Sequence, residues 1–227
     1  MSQLGIVTGL VSETDCLRDI GRAGLVAIRC AGADARRAHA LARELAEGGC
    51  VALASFGLAG GLHPALRSGD VILADRVAGG DAAFPADAAW HARASAILHG
   101  ETRLTVGLLA GAEVAVETPE EKRRLHEKTG AIAVDMESAA VAIAARRFDL
   151  PFLAIRVIAD TANHRVPAWL AGVIDGEGGV KVGTFCAGLL KRPSDLPAIV
   201  RLASVNRRAL ASLRRVAALL GPGLGFL

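Results

Sequence analysis

Apolar residues in this chain fall into short unbroken runs, separated by polar turns, glycine-rich segments and stretches with helical periodicity. Runs over residues 5–10, 24–30, 50–55, 71–78, 104–109, 131–134 and 151–160 have the length of strands. Between them, 35–48, 86–99 and 118–129 carry helix-like spacing, and an Ala-rich helix opens at Glu137. Gly48-Gly49 ends the first of these helices, and Thr118-Pro119-Glu120-Glu121 is a helix-start signature. The segments 11–15 and 63–70 read as polar turns, and 56–62, with Gly57, Gly60 and Gly61, as a glycine-rich loop open to close backbone approach. Strands that are continuously apolar, alternating with helices, predict a sheet covered on both faces. The expected fold is α/β: a single-domain three-layer αβα arrangement around a central mixed, mostly parallel sheet.

The 227 residues suffice for one such domain, and no Pro/Ser-rich linker divides them. Residues 1–227 are therefore expected to form one unit, with 165–227 a helical, basic C-terminal region. Hydrophobic residues make up 52%, yet no apolar run approaches the roughly 20 residues that span a bilayer, so a soluble protein is expected. The first residues read as a strand and not as a signal peptide, and Cys16, Cys30, Cys50 and Cys186 have no metal-ligand or Cys-x-x-Cys spacing. Together these predict a cytoplasmic protein with reduced cysteines and no metal or cofactor. A formal charge of +3, no Tyr and 4% aromatics argue against a nucleic-acid partner. The basic surplus is local: Lys181, Lys191, Arg192, Arg201, Arg207, Arg208, Arg214 and Arg215 face one acid, Asp195, while Leu202, Val205, Leu210, Leu213 and Val216 recur at helical spacing. A solvated helix face accounts for this; contact with an anionic membrane surface, peripheral to the inner face, is the sharper reading.

The candidate chemistry sits at strand ends. Glu137 opens a helix directly after one apolar run, and Asp160 closes another, which places both at one cleft of an α/β sheet. Singly, each has a plain explanation: Glu137 as a favourable charge at a helix N-terminus, Asp160 as a cap, Glu13 as a partner for Arg18. Arg156, inside an apolar strand, reads as a buried ion-pair partner, with Asp135 the nearest candidate.

Four landmarks in order carry a resemblance. Gly5-Ile6-Val7 leads to Glu13; Ser55-Phe56-Gly57-Leu58-Ala59-Gly60-Gly61-Leu62 is followed by Leu66-Arg67-Ser68-Gly69-Asp70-Val71; then come Val134-Asp135-Met136-Glu137-Ser138-Ala139-Ala140 and Pro151-Phe152-Leu153-Ala154-Ile155-Arg156-Val157-Ile158-Ala159-Asp160. Over residues 4–164 the chain resembles the nucleoside phosphorylase and nucleosidase superfamily. Gly57 to Gly61, Ile158-Ala159-Asp160, and Leu190-Lys191-Arg192-Pro193 with Leu196-Pro197 make it most similar to the hopanoid-associated phosphorylases. That resemblance implies cleavage of the N-glycosidic bond of an adenine nucleoside, adenosylhopane, with release of adenine. It also implies a homo-oligomer, a dimer being simplest, that acts on a small-molecule nucleoside with a lipid tail.

The chemistry suits these residue types. Positive charge builds on the ribose and negative charge on the departing purine, so a carboxylate is needed near the sugar and an acid near N7. The resemblance assigns Asp160 to N7, as proton donor or hydrogen-bonding partner, with desolvation at an apolar strand end expected to supply the raised pKa. It assigns Glu137 to the ribose hydroxyls, Met136 to packing on the ribose, and Glu13 to orienting or activating a water. Main chain around Gly57, Ala59, Gly60, Val114 and Ala115 would meet the purine or the nucleophile. Relatives that use phosphate as co-substrate place an Arg where this chain has Ser55; Arg18, Arg36 and Arg37 are the remaining phosphate candidates. Phosphorolysis and hydrolysis both stay open. The rival functions are a methylthioadenosine/S-adenosylhomocysteine nucleosidase and a nucleoside-binding protein without turnover.

Overall fold

The computed structural model describes residues 3–21 and 24–226. Its elements run β1 (Gln3–Thr8), α1 (Val11–Thr14), α2 (Arg18–Gly21), β2 (Val26–Cys30), α3 (Ala35–Glu47), β3 (Cys50–Gly61), β4 (Val71–Gly79), β5 (Ala82–Pro85), α4 (Ala88–Leu98), β6 (Leu104–Gly111), α5 (Pro119–Thr129), β7 (Ala133–Asp135), α6 (Ser138–Arg147), β8 (Phe152–Asp160), α7 (Val182–Lys191) and α8 (Leu196–Leu220).

The strands form one mixed sheet in the order β2-β1-β3-β7-β6-β4-β5, with β8 joining β3 to β4. Five pairings are parallel (β1 with β2 and β3, β3 with β8, β6 with β4 and β7) and three antiparallel (β3 with β7, β4 with β5 and β8). The central mixed, mostly parallel sheet is thus as expected. Its closure is an addition: β3, β8, β4, β6 and β7 pair in a ring, so the sheet curls into a small barrel with β1 and β2 as a flap beyond β3.

Side-chain alternation along β8 shows why its sequence is apolar almost throughout. Leu153, Ile155 and Val157 enter the layer built by α4 and α8, through Trp90, Ala94, Leu98, Leu213, Val216 and Leu220. Phe152, Ala154 and Ile158 enter the opposite layer under α3 and α6, where Ala38, Ala42, Ala140, Ala144 and Ala145 let the helices approach closely.

Three elements differ from the pattern-based expectation. The glycine-rich segment 56–62 is not a loop: β3 runs on to Gly61, because the ring demands a long strand that pairs with β8 along most of its length and with β7 at its end. The turn 11–15 contains the one-turn helix α1. A short hairpin partner, β5, follows Gly79-Gly80-Asp81 where no strand was anticipated. In the C-terminal region the expected amphipathic helix is α8; Ala209, Leu213, Val216, Ala217 and Leu220 are buried, and Arg201, Arg207, Arg208, Arg214 and Arg215 face solvent. Residues beyond it fold back on α4, where Trp90 Nε1 donates to the Leu224 carbonyl at 2.8 Å and the Phe226 ring meets Trp90 edge-on.

Candidate active site

The C-terminal ends of β1, β3, β6, β7 and β8 converge on a cleft of about 260 Å³, whose wall includes Glu13, Asp135, Met136, Glu137 and Asp160. Clefts of α/β sheets form at such strand ends because chain reversals there leave a crevice. A roomier hollow of about 570 Å³ between Phe84, Arg146 and Phe152 holds none of the nominated residues.

Glu13 reaches the cleft because α1 starts immediately after β1 and turns its first carboxylate back toward the strand end. Oε2 accepts from the N–H groups of Gly9 and Leu10 at 2.8 and 3.0 Å, and Oε1 accepts from the Leu58 N–H at 2.8 Å. Burial pushes its pKa up, while the Arg156 charge and these N–H donors pull the other way. Arg18 is not its partner; that side chain pairs on the surface with Asp15 at 2.7 Å.

Glu137 and Asp135 flank Met136 at the turn from β7 into α6. Asp135 Oδ2 caps α6, accepting from the Ser138 N–H at 2.9 Å and its hydroxyl at 2.8 Å. Behind them lies the fully buried Arg156. Its Nε donates to Asp135 Oδ2 at 2.9 Å, Nη2 donates to Asp135 Oδ2 and, at 2.6 Å, to Ser55 Oγ, and Nη1 donates to the Ile155 carbonyl at 3.0 Å. Nη2 also stands 3.6 Å from Glu137 Oε2. The pairing of Arg156 with Asp135 therefore holds, and Ser55 completes that network. Glu137 is pushed up to about 8, first by burial and then by the Asp135 charge, with Arg156 opposing and Glu13 adding to the rise.

Two glycines are required by these carboxylates. A Cβ on Gly9 would sit 2.6 Å from Glu137 Oε1, and one on Gly57 would sit 2.6 Å from Glu13 Oε2. Gly57 makes room for the Glu13 carboxylate, and Leu58, Ala59 and Gly60 after it line the cleft. Val114 and Ala115, after β6, also line the cleft.

Asp160 ends β8 on the opposite wall. The apolar setting expected for it is not what the fold provides: Lys122 of α5, with a fully buried side chain, forms an ion pair with Asp160 Oδ2. Its ammonium also donates to the carbonyls of Thr161 at 3.0 Å and His164 at 2.9 Å. The reading of 118–129 as a helix did not single out Lys122. The signal was present, since Lys122, Leu125, His126 and Thr129 follow the i, i+3, i+4, i+7 spacing of an inward stripe.

The phosphate candidates do not gather here. Arg18 is held by Asp15, Arg37 bonds the Gly176 carbonyl, and Arg36 lines an adjoining cleft with His39, Glu113 and Met136. Among the described residues, the wall of the central cleft includes four carboxylates and no Lys, Arg or His.

An α/β barrel with carboxylates at converging strand ends defines a class, and the chain's sequence places it within one: it belongs to the phosphorylase superfamily, whose family model matches residues 22–171. Among curated relatives, a 5′-methylthioadenosine/S-adenosylhomocysteine nucleosidase of Mycobacterium tuberculosis is 28% identical, the match covering 51% of this chain and 61% of the relative. The enzyme of the same name from Listeria monocytogenes serotype 4a is 32% identical over 48% of this chain and 56% of its own. The chain thus spans about three fifths of the length of the curated relatives it matches. The crystal structure of the Neisseria meningitidis nucleosidase of that name, in complex with methylthio-immucillin-A, superposes with a TM-score of 0.72 at 18% identity, covering 97% of this chain and 99% of that one. At that identity the likeness is one of fold.

Proposed function

We propose that this protein hydrolyses the N-glycosidic bond of an adenine nucleoside carrying an apolar 5′ substituent, releasing adenine. The observation that carries the choice of water over phosphate is the cleft wall, with four carboxylates and no basic side chain among the described residues. Arg156 and Lys122 lie behind that wall, committed to Asp135 and Asp160, so no basic side chain is presented to a phosphate anion, whereas water needs only a base and an orienting acceptor. In this reading Glu13 draws the proton of a water whose oxygen bonds to C1′. The C1′–N9 bond breaks with its electron pair passing to the purine, N7 takes up a proton supplied from solvent through Asp160, and Glu13 returns the water proton to solvent. Glu137, across the cleft, stabilises the positive charge that builds on the ribose. Glu13 and Glu137 are both shifted upward, so the ionised forms that do this work increase with pH.

The 5′ substituent is read from the rim. Leu10, Leu58, Val114, Val116 and Val166 line the cleft, and Val114 is 72% exposed at its mouth. Beyond the adjoining 163–165 segment a second hollow is lined by Pro197, Ala198, Leu202 and Val205 with Arg165 and Arg201. Val180, Val182, Leu190, Leu196 and Val200 lie exposed on α7, the start of α8 and the chain before them. These features support a lipid-tailed nucleoside such as adenosylhopane, taken up at a membrane surface by the basic C-terminal region. The methylthioadenosine/S-adenosylhomocysteine nucleosidase reading is favoured by the curated relatives, which carry that name.

Adenine release from adenosylhopane and from methylthioadenosine, each with and without phosphate, separates these readings. Phosphate-independent release from the first substrate is expected. Release from methylthioadenosine alone would select the second reading, a strict phosphate requirement would overturn hydrolysis, and binding without release would leave a nucleoside-binding protein.

A further inference from the structure

Among the described residues, Asn206 is the one side chain of the cleft wall, besides the four carboxylates, that carries a hydrogen-bonding nitrogen or oxygen. It comes from α8, on the face that buries Ala209, Leu213, Val216 and Leu220. Asn206 is half-buried there, and its amide has no hydrogen-bond partner among the described residues. An amide on an apolar stripe is costly to desolvate unpaired, and a partner supplied by a ligand or by water removes that cost. Helix α8 packs against α1, which carries Glu13, and against β3, which carries Leu58. Leu58 and Ala159, both lining the cleft, pack on the same layer as Ala209 and Leu213, so Asn206 belongs to the wall between Glu13 and Asp160. Glu13 has little left to offer there. Of the about four lone-pair positions of a carboxylate, Oε2 uses two on the N–H groups of Gly9 and Leu10, and Oε1 uses one on that of Leu58. The position that remains is on Oε1, the oxygen held by Leu58.

We propose that Asn206 is a further catalytic residue, whose amide oxygen accepts the second proton of the attacking water and so fixes that water between itself and Glu13 Oε1. The inference rests on the hydrolytic reading above. A water held by a single bond to Glu13 rotates about it, and its lone pair faces C1′ only part of the time. A second bond, to Asn206, stops that rotation. In the step itself the oxygen lone pair forms the bond to C1′ and the C1′–N9 electron pair leaves with the purine. One water proton passes to Glu13, and the other stays on the new hydroxyl, still donated to Asn206. Glu137 and Asp160 are occupied with the ribose and the purine in that reading, and the side chains of Leu58, Ala59 and Ala159 offer no alternative acceptor. The site is therefore shaped for a nucleophile with two O–H protons. An alcohol has one, and its alkyl group would take the place of the proton that Asn206 holds.

The test is a competition between nucleophiles. Adenosylhopane or methylthioadenosine, whichever the wild type cleaves, is turned over in buffer containing methanol, and the ratio of methyl glycoside to free sugar is measured beside kcat and KM. Asn206→Ala is expected to lower kcat roughly tenfold with little change in KM. It is also expected to raise the methyl glycoside share several-fold, since the bond that favoured water is gone and room for a methyl group has opened. Asn206→Asp keeps an acceptor oxygen in the same place and is expected to hold the wild-type ratio. A wild-type product ratio in a folded Ala variant, a loss confined to KM, or an Asp variant with the Ala variant's ratio would overturn the proposal. If the Ala variant does not fold, Asn206→Val is measured with the same criteria. The hydrolytic reading is checked separately by phosphate-free release of adenine from the wild type. Where that holds and the ratio does not move, only the role of Asn206 fails; where phosphate is required, both fail.

Discussion

Arg156 answers to three acids at once. It is bonded to Asp135, lies 3.6 Å from Glu137 and lowers the pKa of Glu13 by its charge. Truncating one member of a buried ion pair leaves the other uncompensated, so Arg156→Ala should cost roughly 3–5 kcal/mol, seen as a lower midpoint in urea denaturation. Glu137 adds a pH dependence of definite sign. Its folded pKa of about 8 exceeds the ordinary carboxylate value of 4.5, so between these limits the folded protein holds a proton that the unfolded chain has released. Stability contributed by that proton is full below the unfolded value and is lost as pH rises toward 8, by up to about 1.4 kcal/mol per pH unit. Calorimetry should show a melting temperature that falls from pH 5 to 8, with a shallower fall in Glu137→Gln; a Gln variant with the wild-type slope would assign the effect to other groups. The residue types at these positions were legible from the chain. Their energetics were not, because they depend on which charges the fold brings behind the cleft.

At the scale of elements, β3 shows how a strand can serve a site without touching the ligand along its whole length. The space above Gly57 is filled by the Glu13 carboxylate, so Gly57→Ala should displace that group and reduce kcat by roughly 100-fold, the cost of about an ångström of misplacement. A variant with normal activity would show that Glu13 has no part in turnover. Reading 56–62 as a loop failed for a physical reason. Glycines mark either a turn or a strand that others approach closely, and only the pairing partners, β8 and β7, decide between the two. The hidden position of Lys122 has the same origin: a charged helix looks uniformly solvated until the element that covers it is known. By contrast β8, α3 and α6 were legible because their apolar spacing is dictated by burial on both faces of the sheet. The pairing of Arg156 with Asp135 was legible because a cation within an apolar strand demands a counter-charge.

In the whole molecule, β3, β8, β4, β6 and β7 support one another around a ring, and the site draws on four of those five strands. Opening any one of the strands breaks at least two pairings. Amide exchange in β3, β4, β6 and β8 is therefore expected to proceed at a common, near-global free energy, while α7, which has no buried residue, exchanges far faster. Widely different protection among those four strands would contradict a cooperative ring. Closure also bears on how this sheet meets other chains. Only β2 and β5 form the ends of the strand order; they are five and four residues long, and β5 ends in Pro85, which has no N–H to offer. These two ends offer a foreign strand little backbone to extend, so strand addition there, the usual first step of ordered β aggregation, is disfavoured.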